Sequence, residues 1–507
     1  MRSRKFVMAL LPFLTATLLA QNTPPIFKTN NQESDSLSMA FQLALGDIAT
    51  NIRPIKRGLL ETECPTLFAG LDYVGPWTRD ASINVFFGGG LLYPEVAKNT
   101  LICQLEEIDG VKRIGGQYWD SPLWIIAAWE YYLFTGDTDF LTLAYEAGRN
   151  QMEHLEATEY SSDMGLFRGA SFFNDGIAGF PEPFDETGEY KGGHWISTIT
   201  TWVEENPDKK HPVGVGLPMH CLSTNVIYAE AHRKLEAMAK VLEVTPKPVF
   251  KSSYNSLKAS INTHFWNTEK GWYDYMLSPF GDSPVQETAG LAWAILYDIA
   301  DEERAKQIIN NVHYEPFGIP TIYPTFPRYK KKFPEEFARH SGTIWPQVSS
   351  LWVLALHKMG QAETVFDEIS QLAFFANRDS QFYELFHPLT GQPYGGVQES
   401  NNGDWTNWAP AKRQTWAATG YINMVLRGLL GMKFNEAGIT FQPLIPQAFE
   451  NLRLLGLPYR NMVLDVYVEG KGTRLKELQL NGKPLASDFI SIHLEGKQIV
   501  RIVMASD

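Results

Sequence analysis

The chain has 507 residues, 44% of them hydrophobic and only 20% charged, which excludes a mainly disordered protein and allows a large core or two to three domains. Its 57 acidic against 44 basic residues give a net charge of −13, which argues against the cationic face that nucleic acid needs. Aromatic content is 13%, from 30 Phe, 21 Tyr and 14 Trp, which favours carbohydrate as a ligand, because flat rings pack on sugar C–H faces while their polar tips hydrogen-bond.

The amino terminus reads as an address. Arg2, Arg4 and Lys5 precede an apolar run, Phe6–Leu19, and Ala20 suits cleavage before Gln21. Residues 1–20 are therefore expected to be a signal peptide, and the mature protein to be secreted or periplasmic. The run is too short for a confident membrane span, so no integral membrane segment is expected after cleavage. Removing it takes three basic residues and leaves the mature chain more acidic still. The cysteines, Cys64, Cys103 and Cys221, are odd in number and form no CxxC pair, which argues against a structural zinc site.

Residues 21–35 are polar and contain proline, the composition of a loose leader. From residue 36 the pattern is helical. Leu37, Ala40, Leu43, Ala44 and Ile48 share one face. Further helices are predicted at 81–99, 121–134, 140–157, 222–242, 250–265, 285–299, 301–311, 342–358, 362–376 and 414–430. Long loops dense in Gly, Pro and aromatics, 172–195 and 382–408, separate some of them, and such loops on a rigid scaffold tend to carry function. After Gly438 the pattern changes to strands (439–441, 462–468, 475–480 and 498–503), with a hairpin signal at Asn481-Gly482. The expected division is a helical unit at 36–437 and a small antiparallel β domain at 438–507, read as a packing cap.

Five segments carry candidate chemistry. Gly75-Pro-Trp77-Thr-Arg79-Asp80 places a fork of donors beside a carboxylate at a helix start. That pairing suits sugar hydroxyls, and equally a structural ion pair with a helix cap. Tyr118-Trp119-Asp120-Ser-Pro122 repeats the arrangement of an aromatic followed by Asp at a helix start. Asp175 lies among Phe172, Phe173, Ile177 and Phe180, an apolar setting that raises a carboxyl pKa as a general acid requires, though Asp175-Gly176 also fits a plain turn. Arg339-His340-Ser-Gly-Thr-Ile-Trp345-Pro346 enters a helix, with His340 and Trp345 able to line a pocket or to serve structure alone. Glu384 opens a Gly- and Trp-rich loop that also holds Trp405. It is a candidate base for activating water, with Glu399 as the neighbouring competitor.

In this order WTRD, YWDSPLW, FFNDG, HSGTIWP, YELFHPLTG and QTWAATGY resemble the six-hairpin (α/α)6 glycosidases. The nearest likeness is to glucoamylase-type enzymes, the amylo-1,6-glucosidase domain of glycogen debranching enzymes and the processing α-glucosidases. The likeness runs over about residues 70–430, and WTRD and the YE…TG segment are its more specific pieces. It implies an (α/α)6 barrel. It implies that Arg79 and Asp80 hold the terminal sugar, that Glu384 is the catalytic base and that Asp175 is the acid. Where glucoamylases carry a Glu pair after Trp, this chain has Phe172-Phe-Asn-Asp175; the processing α-glucosidases and debranching domains use an Asp there. Asp120 would join the sugar clamp, and Trp77, Trp119, His340, Trp345 and Trp405 would line the pocket.

The expected function is exo-acting, inverting glycoside hydrolysis of α-glucosidase type. It would release a monosaccharide from oligosaccharide or polysaccharide ends, with Asp175 protonating the leaving oxygen and Glu384 activating water. No metal or organic cofactor is expected, because the reaction moves only protons and water. The alternatives are a phosphorylase on the same barrel, which would need no base, and a glycan-binding protein without activity.

Overall fold

The computed structural model describes residues 24–29, 35–116, 119–171, 203, 207–246, 250–279, 281–326, 334–399, 405–449 and 451–505. Among these residues, twelve principal helices alternate in character along the chain. They are α1 (Asp35–Thr50), α2 (Thr78–Asn84), α3 (Pro94–Ile102), α4 (Asp120–Thr135), α5 (Thr138–Thr158), α6 (Leu222–Val241), α7 (Tyr254–His264), α8 (Thr288–Leu296), α9 (Glu302–Asn311), α10 (Pro346–Lys358), α11 (Ala362–Asp379) and α12 (Thr415–Asn423).

The even-numbered helices α2, α4, α8, α10 and α12 are buried along nearly their whole length, and α6 along its first half. The odd-numbered helices bury a stripe and face outward with the rest; α9 buries only Ala305 and Ile308. A helix buried at nearly every position has partners on all sides, whereas an amphipathic helix needs them on one. Accordingly α2 touches α4, α4 touches α6, α6 touches α8, α8 touches α10, α10 touches α12, and α12 touches α2. The helix starts are polar in detail: Asp137 accepts from Phe140 N at 2.9 Å to cap α5, and Asp301 accepts from Arg304 N at 2.9 Å to cap α9, a type of bond worth about 1 kcal/mol.

The starts of the inner helices lie together at one end. Arg79 of α2 reaches Asp120 of α4 at 3.6 Å. Glu287, just before α8, accepts from Ser223 N of α6 at 3.2 Å. Thr321 N donates to Thr343 O at 3.1 Å, Ile344 N to Phe386 O at 3.0 Å, and Thr415 N to Ala69 O at 2.9 Å. These bonds place the loops that lead into α2, α8, α10 and α12 side by side.

Several expectations are corrected. The helix expected over 81–99 is two helices: wide π turns at Val85–Gly89 kink at Gly88 (φ 112°), and Pro94, which cannot donate to the preceding turn, opens α3. Proline likewise delays α10 to Pro346. The helix expected over 414–430 ends at Asn423 and widens into π turns over Met424–Leu429. The polar leader contains a strand, β1 (Ile26–Thr29). It pairs with Asn451–Tyr459 at the edge of a six-stranded sheet whose order is Ile26–Thr29, Asn451–Tyr459, Met462–Glu469, Gly496–Met504, Leu475–Leu480 and Lys483–Pro484. That sheet is not wholly antiparallel, since Met462–Glu469 and Gly496–Met504 run parallel over their full pairing. Strands begin at Met432, earlier than expected, in a second sheet of Met432–Asn435, Gly438–Phe441 and Phe489–Ser491. All three cysteines are free thiols. Among the described residues no helix is long and apolar enough to cross a membrane.

Candidate active site

The loop between residues 68 and 77 connects two groups of polar side chains at the gathered helix starts. Arg53 Nη2 holds it by donating to Gly70 O at 2.7 Å and Tyr73 O at 3.1 Å. From this loop Tyr73 donates its hydroxyl proton to Glu384 Oε1 at 3.1 Å. Arg339 Nη2 donates to Glu384 Oε2 at 2.6 Å, and Ala411 N approaches the same oxygen at 3.4 Å. Glu384 is only 2% exposed. Three donors therefore converge on a carboxylate that water scarcely reaches, and one carries a full charge in a bidentate-capable fork.

Arg339 is itself fixed. Its backbone N donates to Val397 O at 3.0 Å, its Nη1 donates to Gly395 O at 3.1 Å, and its guanidinium lies 5.7 Å from the Trp408 ring. Gly395 and Gly396 permit this approach. A Cβ at Gly396 would collide with the Arg339 backbone, and one at Gly395 with Trp408 O.

The second group stands where α2 and α4 begin. Arg79 and Asp80 lie in the first turn of α2, Asp120 in the first turn of α4, and all three are buried. The Arg79 guanidinium stands 5.6 Å over the Trp119 ring and 3.6 Å from Asp120 Oδ1. Thr78 Oγ1 lies 3.1 Å from Gly115 O, and Gly116 (φ 99°) passes so close that an added Cβ would meet Thr78 Oγ1 at 2.6 Å.

The remaining sequence candidates divide by environment. Trp77 is 59% exposed beside Arg79. Trp119 and Trp345 are packed inside; Trp345 lies edge-on to Trp416 at 5.2 Å, and the His340 ring is 5.3 Å from it. Trp405 begins a strand, Trp405–Asn407, that pairs with Val397–Glu399. Asp175 and its aromatic neighbours 172–173, 177 and 180 lie outside the described residues.

Sequence reasoning named Glu384 but gave no role to Tyr73 or Arg339, which hold it. Arg339 heads the same segment as His340, and a cation beside a motif on a helix-entry loop was the available signal. A further acid was missed. Glu287 is fully buried before α8, and that burial pushes its carboxyl up to about 8, against hydrogen bonds from Ser223 that lower it.

Residues 112–416, more than half of the chain, match the family model of the Mannosylglycerate hydrolase MGH1-like glycoside hydrolase domain. The chain belongs to this family. The matched family is one of glycoside hydrolase domains.

Solved structures agree with this family at the level of fold. A sialidase superposes with a TM-score of 0.63 at 14% identity, covering 96% of this chain and 43% of its own. A GH78 family rhamnosidase of Bacillus sp. GL1 gives 0.57 at 15% identity, with 95% and 44% covered. The GH63 mannosylglycerate hydrolase from Thermus thermophilus, in complex with glucose, gives 0.56 at 15% identity, with 76% of this chain and 100% of its own covered. The chain thus spans less than half the length of the first two. No curated protein matches the sequence.

Proposed function

We propose that this glycoside hydrolase is a secreted, exo-acting, inverting enzyme whose base is Glu384 and whose acid is Asp175. The observation that carries the reading is the setting of Glu384, a buried carboxylate held from two sides by Tyr73 and Arg339. A base that activates water must be fixed in direction as well as in charge, and two short bonds to different loops do this. Asp175 would stand protonated across the sugar and donate to the leaving oxygen, with about 6.5–9.5 Å between the carboxyls to admit the attacking water. Arg79, Asp80 and Asp120 would bind hydroxyls of the terminal sugar, with Trp77, Trp119, His340, Trp345 and Trp405 shaping the pocket.

The reading extends to architecture. The contacts of α2, α4, α6, α8, α10 and α12, with their starts at one end, support a six-hairpin (α/α)6 barrel carrying the site there, and the strands after Met432 a β unit packed on it. The substrate is read as a small or terminal α-glycoside. Glucose is the sugar the sequence resemblance favours, and the family's name adds mannosylglycerate to the set worth testing.

A panel of aryl glucosides, mannosides and rhamnosides, with mannosylglycerate and malto-oligosaccharides, should yield a free monosaccharide without added phosphate. Proton NMR of the first-formed product should show the inverted anomer; retention would reject the mechanism, and dependence on phosphate would favour the phosphorylase. Secretion is checked by sequencing the mature amino terminus, expected at Gln21.

A further inference from the structure

A cavity of about 750 Å³ opens between the carboxyl end of α5 and the loops before α6 and α8. None of its lining residues belongs to the Glu384 or the Arg79–Asp120 group. Its volume falls within the range of about 300–1,000 Å³ usual for small-molecule sites.

Two of its walls are buried and polar. His220 is 8% exposed, held on a strand that pairs with Met276–Leu277, and its Nε2 has no hydrogen-bond partner. Arg168 is anchored through Nη2 to Thr158 O at 2.7 Å, while its Nε is likewise without a partner. Both residues line the cavity, so its wall carries an imidazole and a guanidinium. The lining also holds two carboxylates on tight local supports. Asp163 accepts from Ser161 Oγ at 2.6 Å, and Asp282 accepts from Ser278 N at 3.1 Å. Tyr160 and Met164 add flat apolar surface.

Charge selects the class of occupant. Burial and the nearby Arg168 push the His220 pKa down to about 4, so its ring is neutral at pH 7 and offers one donor and one acceptor. The permanent charges of the lining are one guanidinium and two carboxylates, beside the imidazoles of His211 and His264. A phosphate or carboxylate ligand would meet Asp163 and Asp282. A metal ion lacks a ligand set, since no group of three or more His, Cys, Asp or Glu among the described residues could hold one. A hydroxyl serves both kinds of partner, because it donates to a carboxylate and accepts from an arginine or histidine.

We propose that this cavity is a second carbohydrate site, holding one or more sugar units of a glycan without reacting on them. The proposal rests on the glycoside hydrolase family assignment and is independent of the roles given to Asp175 and Glu384.

The test uses the full-length chain carrying Glu384→Gln, with 15N-labelled histidine, titrated separately with maltotriose, α-mannotriose and sodium phosphate. The expected result is a saturating shift of the His220 ring resonances with a trisaccharide, lost when the exposed Ser162 at the cavity mouth is replaced (Ser162→Trp) and weakened at least threefold in Asp282→Ala. In the otherwise wild-type chain, Ser162→Trp should leave aryl glycoside turnover within about twofold. No His220 shift with either sugar, or a shift with phosphate alone, overturns the proposal. So does a Ser162→Trp chain that loses aryl glycoside turnover, since the cavity would then belong to the catalytic site. Retention of the anomer would remove the proposed mechanism and leave this site standing.

Discussion

Two buried glutamates stand at the same end of the helices and differ in what surrounds them. Glu384 meets a guanidinium at 2.6 Å and a phenol at 3.1 Å. Glu287 meets Ser223 of the neighbouring helix, and its carboxyl is pushed up to about 8. Burial outweighs the Ser223 hydrogen bonds and raises the Glu287 carboxyl, whereas Glu384 lies in direct contact with a guanidinium. The two positions are almost equally hidden from water, so the difference lies in the partner and not in the depth.

Each of five substitutions breaks or sharpens this contrast, ranked by effect on turnover. Glu384→Gln keeps the shape and removes the base, so kcat should fall by about 10²–10⁴-fold, and the thermal transition should also drop because Arg339 loses its charge partner. Wild-type turnover in that variant would end the assignment. Arg339→Ala turns the Glu384 environment into one like that of Glu287. Removing one partner of a buried pair costs about 3–5 kcal/mol, so denaturant unfolding should register a large loss together with activity. Asp120→Ala should act on the sugar. Loss of a charged hydrogen bond worth about 1.5–3 kcal/mol should reduce kcat/KM roughly 10- to 150-fold, with inhibitor-binding calorimetry as the check. Tyr73→Phe deletes one donor and should lower kcat by a few-fold, matching about 0.5–1.5 kcal/mol.

Glu287→Gln should leave turnover close to wild type and change the pH dependence of stability. The folded carboxyl binds its proton up to about pH 8, while the unfolded one releases it near the ordinary value of 4.5. Stability therefore falls as pH rises between those values, by up to about 1.4 kcal/mol per unit. Melting temperatures measured from pH 5 to 8 should fall less in the Gln variant. An unchanged slope would mean that Glu287 is ionised in the folded chain.

The helices were legible because inner and outer ones differ in pattern. The apolar run Leu123–Trp129 of α4 and the sparse stripe of α9 can each be read without coordinates. Their ends were not, wherever proline or a π turn set them, as at Pro94, Pro346 and Met424. Arg79 and Asp120 were named because each stands at a helix entry beside aromatics, and Glu384 because it opens a Gly- and Trp-rich loop. Tyr73 escaped because its partner is 311 residues away, a distance at which no local pattern carries information. The parallel pairing of Met462–Glu469 with Gly496–Met504 escaped for a related reason: alternation marks a strand but not the direction of its neighbour.

The strand at Ile26–Thr29 has a consequence for how the chain is made. Its mate, Asn451–Tyr459, is synthesised more than 400 residues later, so this early segment is among the last to find its place. Until then one sheet edge lies open, and open edges recruit strands from other molecules. A shortened protein beginning after residue 30 would keep that edge permanently, and aggregation would be its expected fault before any loss of catalysis.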